Sequence, residues 1–342
     1  MTDTPPVSVL DVVPVWSGST ATRALRDSVQ LAVEVERLGY TRYWVAEHHN
    51  TPCLATATPP VLVGALLAAT STLRVGSGGV LLPNHPPLVV AEQFGTLAAL
   101  YPGRVDLGVG RAPGTDAATA RALRRAPDGA DQFPTELAEL IDHFGPAPRP
   151  RQITAVAAAE SEVPVWILGS SPGSARLAGS LGLPYAFAHQ INPTLTATAL
   201  QLYRKSFRPS AHLADPHAIL SAVVVVGEND EHAERLIAPY LLGQIGHRTV
   251  GRLDPFPNAA QAQQHSYTDA ERAFVAERIT SQIVGGPETV RERVQRLHAE
   301  TGANELMALT ILPELEDRVR SYALLADAVR ASIAVYARDL RV

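Results

Sequence analysis

Three side chains able to move protons stand in a row at Glu47-His48-His49. An imidazole titrates near neutrality, so one of these histidines facing a pocket could serve in proton transfer. A metal is not expected here. Successive strand residues point to opposite sides, and no His-x-His pair occurs in the chain. A buried histidine satisfied by Glu47 stays open as the plainer reading. A second group is Gly169-Ser170-Ser171-Pro172, with Ser174 close behind. Ser171 is a natural N-cap ahead of a proline at the first helical position, and the free N–H groups of such a turn attract an anion. Ser170 and Ser174 add hydroxyl donors, and Arg111 offers a planar fork suited to phosphate. Plain helix capping, with Arg111 in a structural ion pair, is the alternative. Gly76, Gly78 and Gly79 form a third group inside one apolar run. Glycine is costly in a strand unless the chain bulges there or something flat approaches closely. Tight packing at a barrel corner would explain them equally.

Other chemistries find less support. A dinucleotide fingerprint fails, because Pro113 and Leu81 stand where its third glycine would be needed. The nucleophile elbow of a serine hydrolase is not expected. Cys53 has no basic neighbour and reads as an ordinary small residue. Schiff-base chemistry would fall on Lys205, the single lysine.

The elements that must position these groups follow a repeating order of short apolar run, turn and amphipathic run. Strands are expected at Val7–Val13, Arg42–Ala46, Leu73–Leu82, Arg104–Val109, Val163–Leu168, Tyr185–Ala188, Ala218–Val226 and Glu305–Leu312. Helical sequence follows each one. Eight such units imply an α/β fold with a parallel sheet closed as a (β/α)8 TIM barrel, in one domain over 1–342. Gly243–Tyr267 has no clear period and is expected as an insertion loop before the last strand, able to act as a lid. In a barrel of this kind the site lies on the loops after the strands. The polar and glycine residues above all fall at that rim.

Composition narrows the function classes. Hydrophobic residues make up 46% of the 342 and charged residues 18%, which suits a buried core. The net charge of −5 argues against a nucleic-acid partner. A lone cysteine excludes an internal disulfide. No signal peptide and no apolar run of roughly 18 residues is seen, so a cytoplasmic protein without a membrane span is expected.

Three segments together resemble the bacterial-luciferase-like flavin-dependent monooxygenases: Tyr43-Trp44-Val45-Ala46-Glu47-His48-His49, Arg74-Val75-Gly76-Ser77-Gly78-Gly79-Val80 and Gly103-Arg104-Val105-Asp106-Leu107-Gly108-Val109-Gly110-Arg111. Leu168-Gly169-Ser170-Ser171-Pro172 and Gly182-Leu183-Pro184-Tyr185-Ala186-Phe187-Ala188 extend the match to the sixth strand, and the last third fits more loosely. Arg111-Ala112-Pro113-Gly114-Thr115-Asp116 is closest to the subgroup of the mensacarcin-pathway monooxygenase. The resemblance implies FMN as cofactor, reduced (FMNH2) by a separate flavin reductase. It implies O2 as co-substrate, a C4a-hydroperoxyflavin as the oxygenating species, and often a homodimer. It implies His48 as the catalytic histidine, a non-proline cis peptide at Gly78-Gly79 behind the flavin ring, and Arg111, Ser170, Ser171 and Ser174 on the phosphate. The substrate would be a small organic molecule such as a polyketide intermediate or an aldehyde. The family's reactive cysteine after strand four is missing, which argues against light emission. His189-Gln190-Ile191-Asn192 departs from the subgroup and is expected to face the substrate. Two other functions remain open: hydride transfer with the deazaflavin F420, and flavin binding without turnover.

Overall fold

The computed structural model describes residues 5–112, 116–124, 129–145, 152–250 and 254–339. Nine strands are described: β1 (Val7–Asp11), β2 (Arg42–Val45), β3 (Arg74–Leu81), β4 (Val105–Gly110), β5 (Val165–Gly169), β6 (Tyr185–Ala188), β7 (Ala218–Val226), β8 (Ile283–Gly285) and β9 (Glu305–Leu309). Their order is β6-β5-β4-β3-β2-β1-β9-β7, and β7 pairs back onto β6. Every pairing is parallel, so eight strands close into a barrel. This is the expected (β/α)8 architecture. The ninth strand, β8, lies outside the ring and pairs with the end of β7 at Val224–Val226.

Helices follow in chain order: α1 (Ala21–Arg37), α2 (Pro59–Ala69), α3 (Pro87–Leu100), α4 (Ala117–Ala122), α5 (Gly129–Asp142), α6 (Val156–Ala159) and α7 (Pro172–Leu181). Beyond them come α8 (Thr196–Ser206), α9 (Asp230–Val250), α10 (Ala259–Gln264), α11 (Asp269–Ser281), α12 (Pro287–Thr301) and α13 (Leu315–Asp339).

The strands sort their side chains by alternation, as a pleated backbone requires. Val9, Tyr43, Ile167 and Leu306 point outward and join the helices in one apolar layer. Their neighbours Leu10, Trp44, Trp166 and Met307 point into the barrel and form a second. Trp44 and Trp166 meet edge to face at 5.2 Å and fill the interior. Local rules set the helix ends. Thr20 caps α1 by accepting from the Arg23 N–H, and the helix buries Ala24, Ser28, Leu31, Ala32 and Val35 along one stripe. Gly182 ends α7 in the left-handed region at φ 63°.

The expected insertion loop is a correction. Most of Gly243–Tyr267 is helical in the described residues, because α9 runs on to Val250 and α10 occupies Ala259–Gln264. Residues 251–253 lie outside the described set. Gly243 reads as a helix breaker in sequence, but a Cβ there would sit 2.5 Å from the Phe256 ring. The glycine admits that ring, and the helix survives through buried Leu241 and Ile245. Two capping boxes, Asn258/Gln261 and Thr268/Glu271, open α10 and α11. The helix α11 and the strand β8 were not anticipated.

Candidate active site

The helices α9, α10 and α11 leave the barrel after β7 and cap the C-terminal ends of the strands. Backbone bonds fasten the cap to the segment after β1: Phe256 N–H donates to Val15 O at 2.9 Å, and Ser17 N–H to Phe256 O at 2.7 Å. Trp16 and Phe256 pack ring to ring at 5.2 Å. Between cap and barrel lies a cavity of about 1090 Å³. Its floor and walls include Trp44, His48, Gly78, Gly79, Arg111, Ser170, Ser171 and Ser174, and its roof includes Tyr240, Gln244 and Arg278. His48, Gly78, Gly79, Arg111, Ser170, Ser171 and Ser174, expected from the sequence at the site, therefore border one space.

His48 extends the β2 end into this space. Its backbone N–H donates to Thr56 O at 2.7 Å. The Thr56 hydroxyl donates to Val12 O at 3.3 Å, so it accepts from His48 Nδ1–H, also at 3.3 Å. That chain leaves Nε2 as the bare, accepting nitrogen. Burial pushes the His48 pKa down to about 4, outweighing the attraction of Glu47. The imidazole is thus neutral at ordinary pH and suited to accept a hydrogen bond.

Glu47 and His49, two apart in sequence, work with a residue that sequence reasoning missed. Glu47 Oε1 accepts from His49 Nε2 and from His85 Nε2, each at 2.8 Å. Glu47 Oε2 accepts the Leu81 N–H at 3.0 Å. Burial raises the Glu47 pKa, but His85, the Leu81 N–H and His49 outweigh it and hold the carboxyl below its usual range. Ligand atoms of Glu47, His49 and His85 lie within 4.8 Å of one another. The usable signals were the Glu-x-His spacing and the position of His85 just past β3. The cluster locks the ends of β2 and β3 together beneath His48.

The glycines of β3 are explained from inside the protein. A Cβ on Gly76 would lie 2.3 Å from Asp106 O, and one on Gly78 2.7 Å from Leu10 Cδ1. One on Gly79 would lie 2.8 Å from Gly108 O. The register shifts between Gly78 and Val80, and the Gly78-Gly79 peptide is cis. Close packing and a bulge therefore account for these residues, which also leave a flat wall on the cavity side.

At the β5 end, Ser171 caps α7 by accepting from Ser174 N–H at 3.4 Å. The Ser174 hydroxyl donates to Ser171 O at 2.8 Å and lies 3.0 Å from Tyr185 Oη, so it is turned to internal bonds. The Ser170 hydroxyl has no protein partner among the described residues, and Gly173 is exposed at the cavity edge. Arg111 is exposed on the same wall and makes no ion pair among the described residues. A helix N-terminus, a spare hydroxyl and an uncommitted guanidinium fit a phosphate.

Gly169-Ser170-Ser171-Pro172-Gly173 does spell the G-x-S-x-G pattern, between a strand and a helix. The structure excludes an elbow nonetheless. Ser171 is extended at φ −139° and ψ 156°, and its hydroxyl meets Ser174, not a histidine. His189 also departs from expectation. It is buried, with Nδ1 2.8 Å from the Thr196 hydroxyl and Nε2 donating to Ser281 O at 2.8 Å. It pins the end of α11 to the barrel, while its neighbours Gln190 and Ile191 do line the cavity. Cys53 borders the cavity too, but burial raises its thiol to about 11, which leaves it protonated. Lys205 is exposed on α8, away from the cavity.

A family model described as "Luciferase-like monooxygenase" matches residues 6–305. A curated "Luciferase-like monooxygenase" of Escherichia coli (strain K12) is 42% identical over 321 residues, covering 94% of this chain and 96% of its own. The crystal structure of apo-MsnO8 superposes with a TM-score of 0.89 at 37% identity, over 96% of this chain and 99% of that one. The oxygenating constituent of 3,6-diketocamphane monooxygenase from Pseudomonas putida, solved with FMN, has a TM-score of 0.71 at 19% identity. It covers 95% of this chain and 98% of that one, and shows the shared fold alone.

Proposed function

The chain belongs to the luciferase-like monooxygenase family, and from that membership we propose that it transfers one atom of O2 to a small organic substrate using reduced FMN. The observation that carries this reading is the single cavity bordered by His48, the flat Gly78–Gly79 wall and the anion-ready β5–α7 turn. FMNH2 supplies the electrons that activate O2 when it is bound. Arg111, Ser170 and the first turn of α7 would hold its phosphate. Ser171 and Ser174 support that turn, Ser171 as the cap and Ser174 through its bond to Ser171 O. Gly78 and Gly79 would lie against its ring. His48, neutral with Nε2 free, accepts a hydrogen bond at the reacting face, and the cap keeps water out.

A separate reductase would deliver the reduced flavin. A polyketide-type intermediate or an aldehyde is the substrate class proposed. A homodimer is proposed as the assembly, supported by the exposed Val61 on α2 and by Val89 and Leu100 on α3.

The test is a titration of the protein with anaerobically reduced FMN, followed by mixing with oxygenated buffer while absorbance and peroxide release are recorded. Saturable binding with peroxide release slower than from free reduced flavin is the expected result. Failure to bind FMN, with tight binding of the deazaflavin F420 in its place, would overturn the reading and leave hydride transfer as the function.

A further inference from the structure

The roof of the cavity carries positive charge that the cofactor reading does not use. Arg248 on α9 and Arg278 on α11 flank the ring of Phe274, with their guanidinium carbons 4.8 and 5.4 Å from its centroid. All three residues border the cavity, together with His247 and Gln244. Among the described residues Arg248 has no carboxylate within ion-pair distance. Arg278 has only its chain neighbour Glu277 at 3.8 Å, which is 58% exposed, and such a pair is worth little. Arg278 Nε is buried with no hydrogen-bond partner, and so is Gln244 Oε1. Buried polar atoms are nearly always satisfied, so orphans bordering a cavity point to a ligand that completes them. The space beneath is apolar, walled by Val12, Trp44, Phe256, Met307 and Ile311.

We propose that the α9–α11 roof is a subsite for an anionic group of the organic substrate, a carboxylate held by Arg248 and Arg278. The substrate is then an organic acid with an apolar body lying over Trp44 and Met307, carrying an N–H or O–H donor for Gln244 Oε1. The inference rests on the monooxygenase reading, because it treats the β5–α7 wall as the place of the flavin phosphate. Two guanidiniums beside one aromatic ring can bind a carboxylate by charge-assisted bonds.

Octanoate and octan-1-ol serve as paired probes, alike in body and different in charge. Their affinities are read by quenching of tryptophan fluorescence in the full chain, with and without FMN. Octanoate binds about tenfold more tightly than the alcohol, and the double variant Arg248→Gln/Arg278→Gln removes that preference while leaving FMN affinity within about twofold. Arg111→Gln has the opposite pattern, weakening FMN and sparing octanoate. Equal affinity for the two probes in the parent protein would overturn the proposal. So would an octanoate preference that survives the double variant. If the double variant loses FMN in place of octanoate, the roof arginines hold the cofactor phosphate and the proposal fails. Failure of the parent protein to bind FMN at all would count against the monooxygenase reading, separately from the probe result. Retained unfolding temperature of the double variant guards against a folding artefact.

Discussion

The two ends of this barrel carry similar side chains in opposite states. At the N-terminal end of the strands, Arg42 opens β2 and lies between Asp106 at 2.7 Å and Glu305 at 2.8 Å. Arg74 also reaches Asp106, Trp44 Nε1 donates to Asp106 at 3.0 Å, and the Ser8 hydroxyl donates to Glu305. Asp106 is fully buried and Glu305 nearly so. Arg42, Arg74, Asp106 and Glu305 thus complement one another inside the protein, although the nearby Trp166 Nε1 and His217 Nε2 are buried without a hydrogen-bond partner. At the C-terminal end Arg111 and Ser170 have no such complement among the described residues, and the buried Arg278 Nε and Gln244 Oε1 have no hydrogen-bond partner. A buried ion network is costly to break, whereas polar groups left open around a cavity mark where a ligand binds.

Substitutions at the two ends should therefore act differently. The largest effect is expected from Asp106→Ala, which strands Arg42, Arg74 and the Trp44 N–H. It should destabilise the fold by about 3–5 kcal/mol in urea unfolding, against under about 0.5 kcal/mol for Arg111→Gln. Comparable losses at both ends would break the comparison. Next, His48→Ala should lower oxygenation turnover by about 100-fold or more, or speed peroxide loss, while FMN affinity changes little. Unchanged oxygenation would remove His48 from the reaction. The pH dependence sharpens the same point. His48 is held near 4, below its unfolded value, so its neutral form is present above that pH and lost as pH falls through it. The kcat/KM profile should therefore show no imidazole inflection between about pH 5 and 8, with an acid limb near 4. A limb near 6.5 that disappears in His48→Ala would contradict the assigned protonation. Arg111→Gln should weaken FMN by about tenfold, read by equilibrium titration. The smallest effect is expected at Ser170→Ala, about threefold in the same titration and within reach of one neutral hydrogen bond.

Much of the rim was legible from local pattern. Strand ends are marked by short, near-continuous apolar runs, so Glu47-His48, Gly78-Gly79, Arg111 and Ser170-Ser171 fell at one end of the barrel. Ser171 was legible as a cap because an N-cap needs only its own next turn. The internal bonds of Ser174 were not legible, since Tyr185 Oη reaches its hydroxyl from the next strand. His189 was read as facing the substrate because nothing local shows Ser281 O, far along the chain, accepting a hydrogen bond from its ring. The cap was read as a loop because Gly243 looks like a breaker until Phe256 is brought against it.

The sequence alone thus determined the alternation of strands and helices, their caps, and which residues stand at the strand ends, because those properties depend on neighbours within one turn or one pleat. The pairing of β9 with β1, the cap over the mouth, His85 on Glu47, and Asp106 between two arginines were decided only by tertiary structure. Each joins residues far apart in the chain, and partners at such distance are chosen by packing and charge complementarity once the barrel has closed, which no local period records.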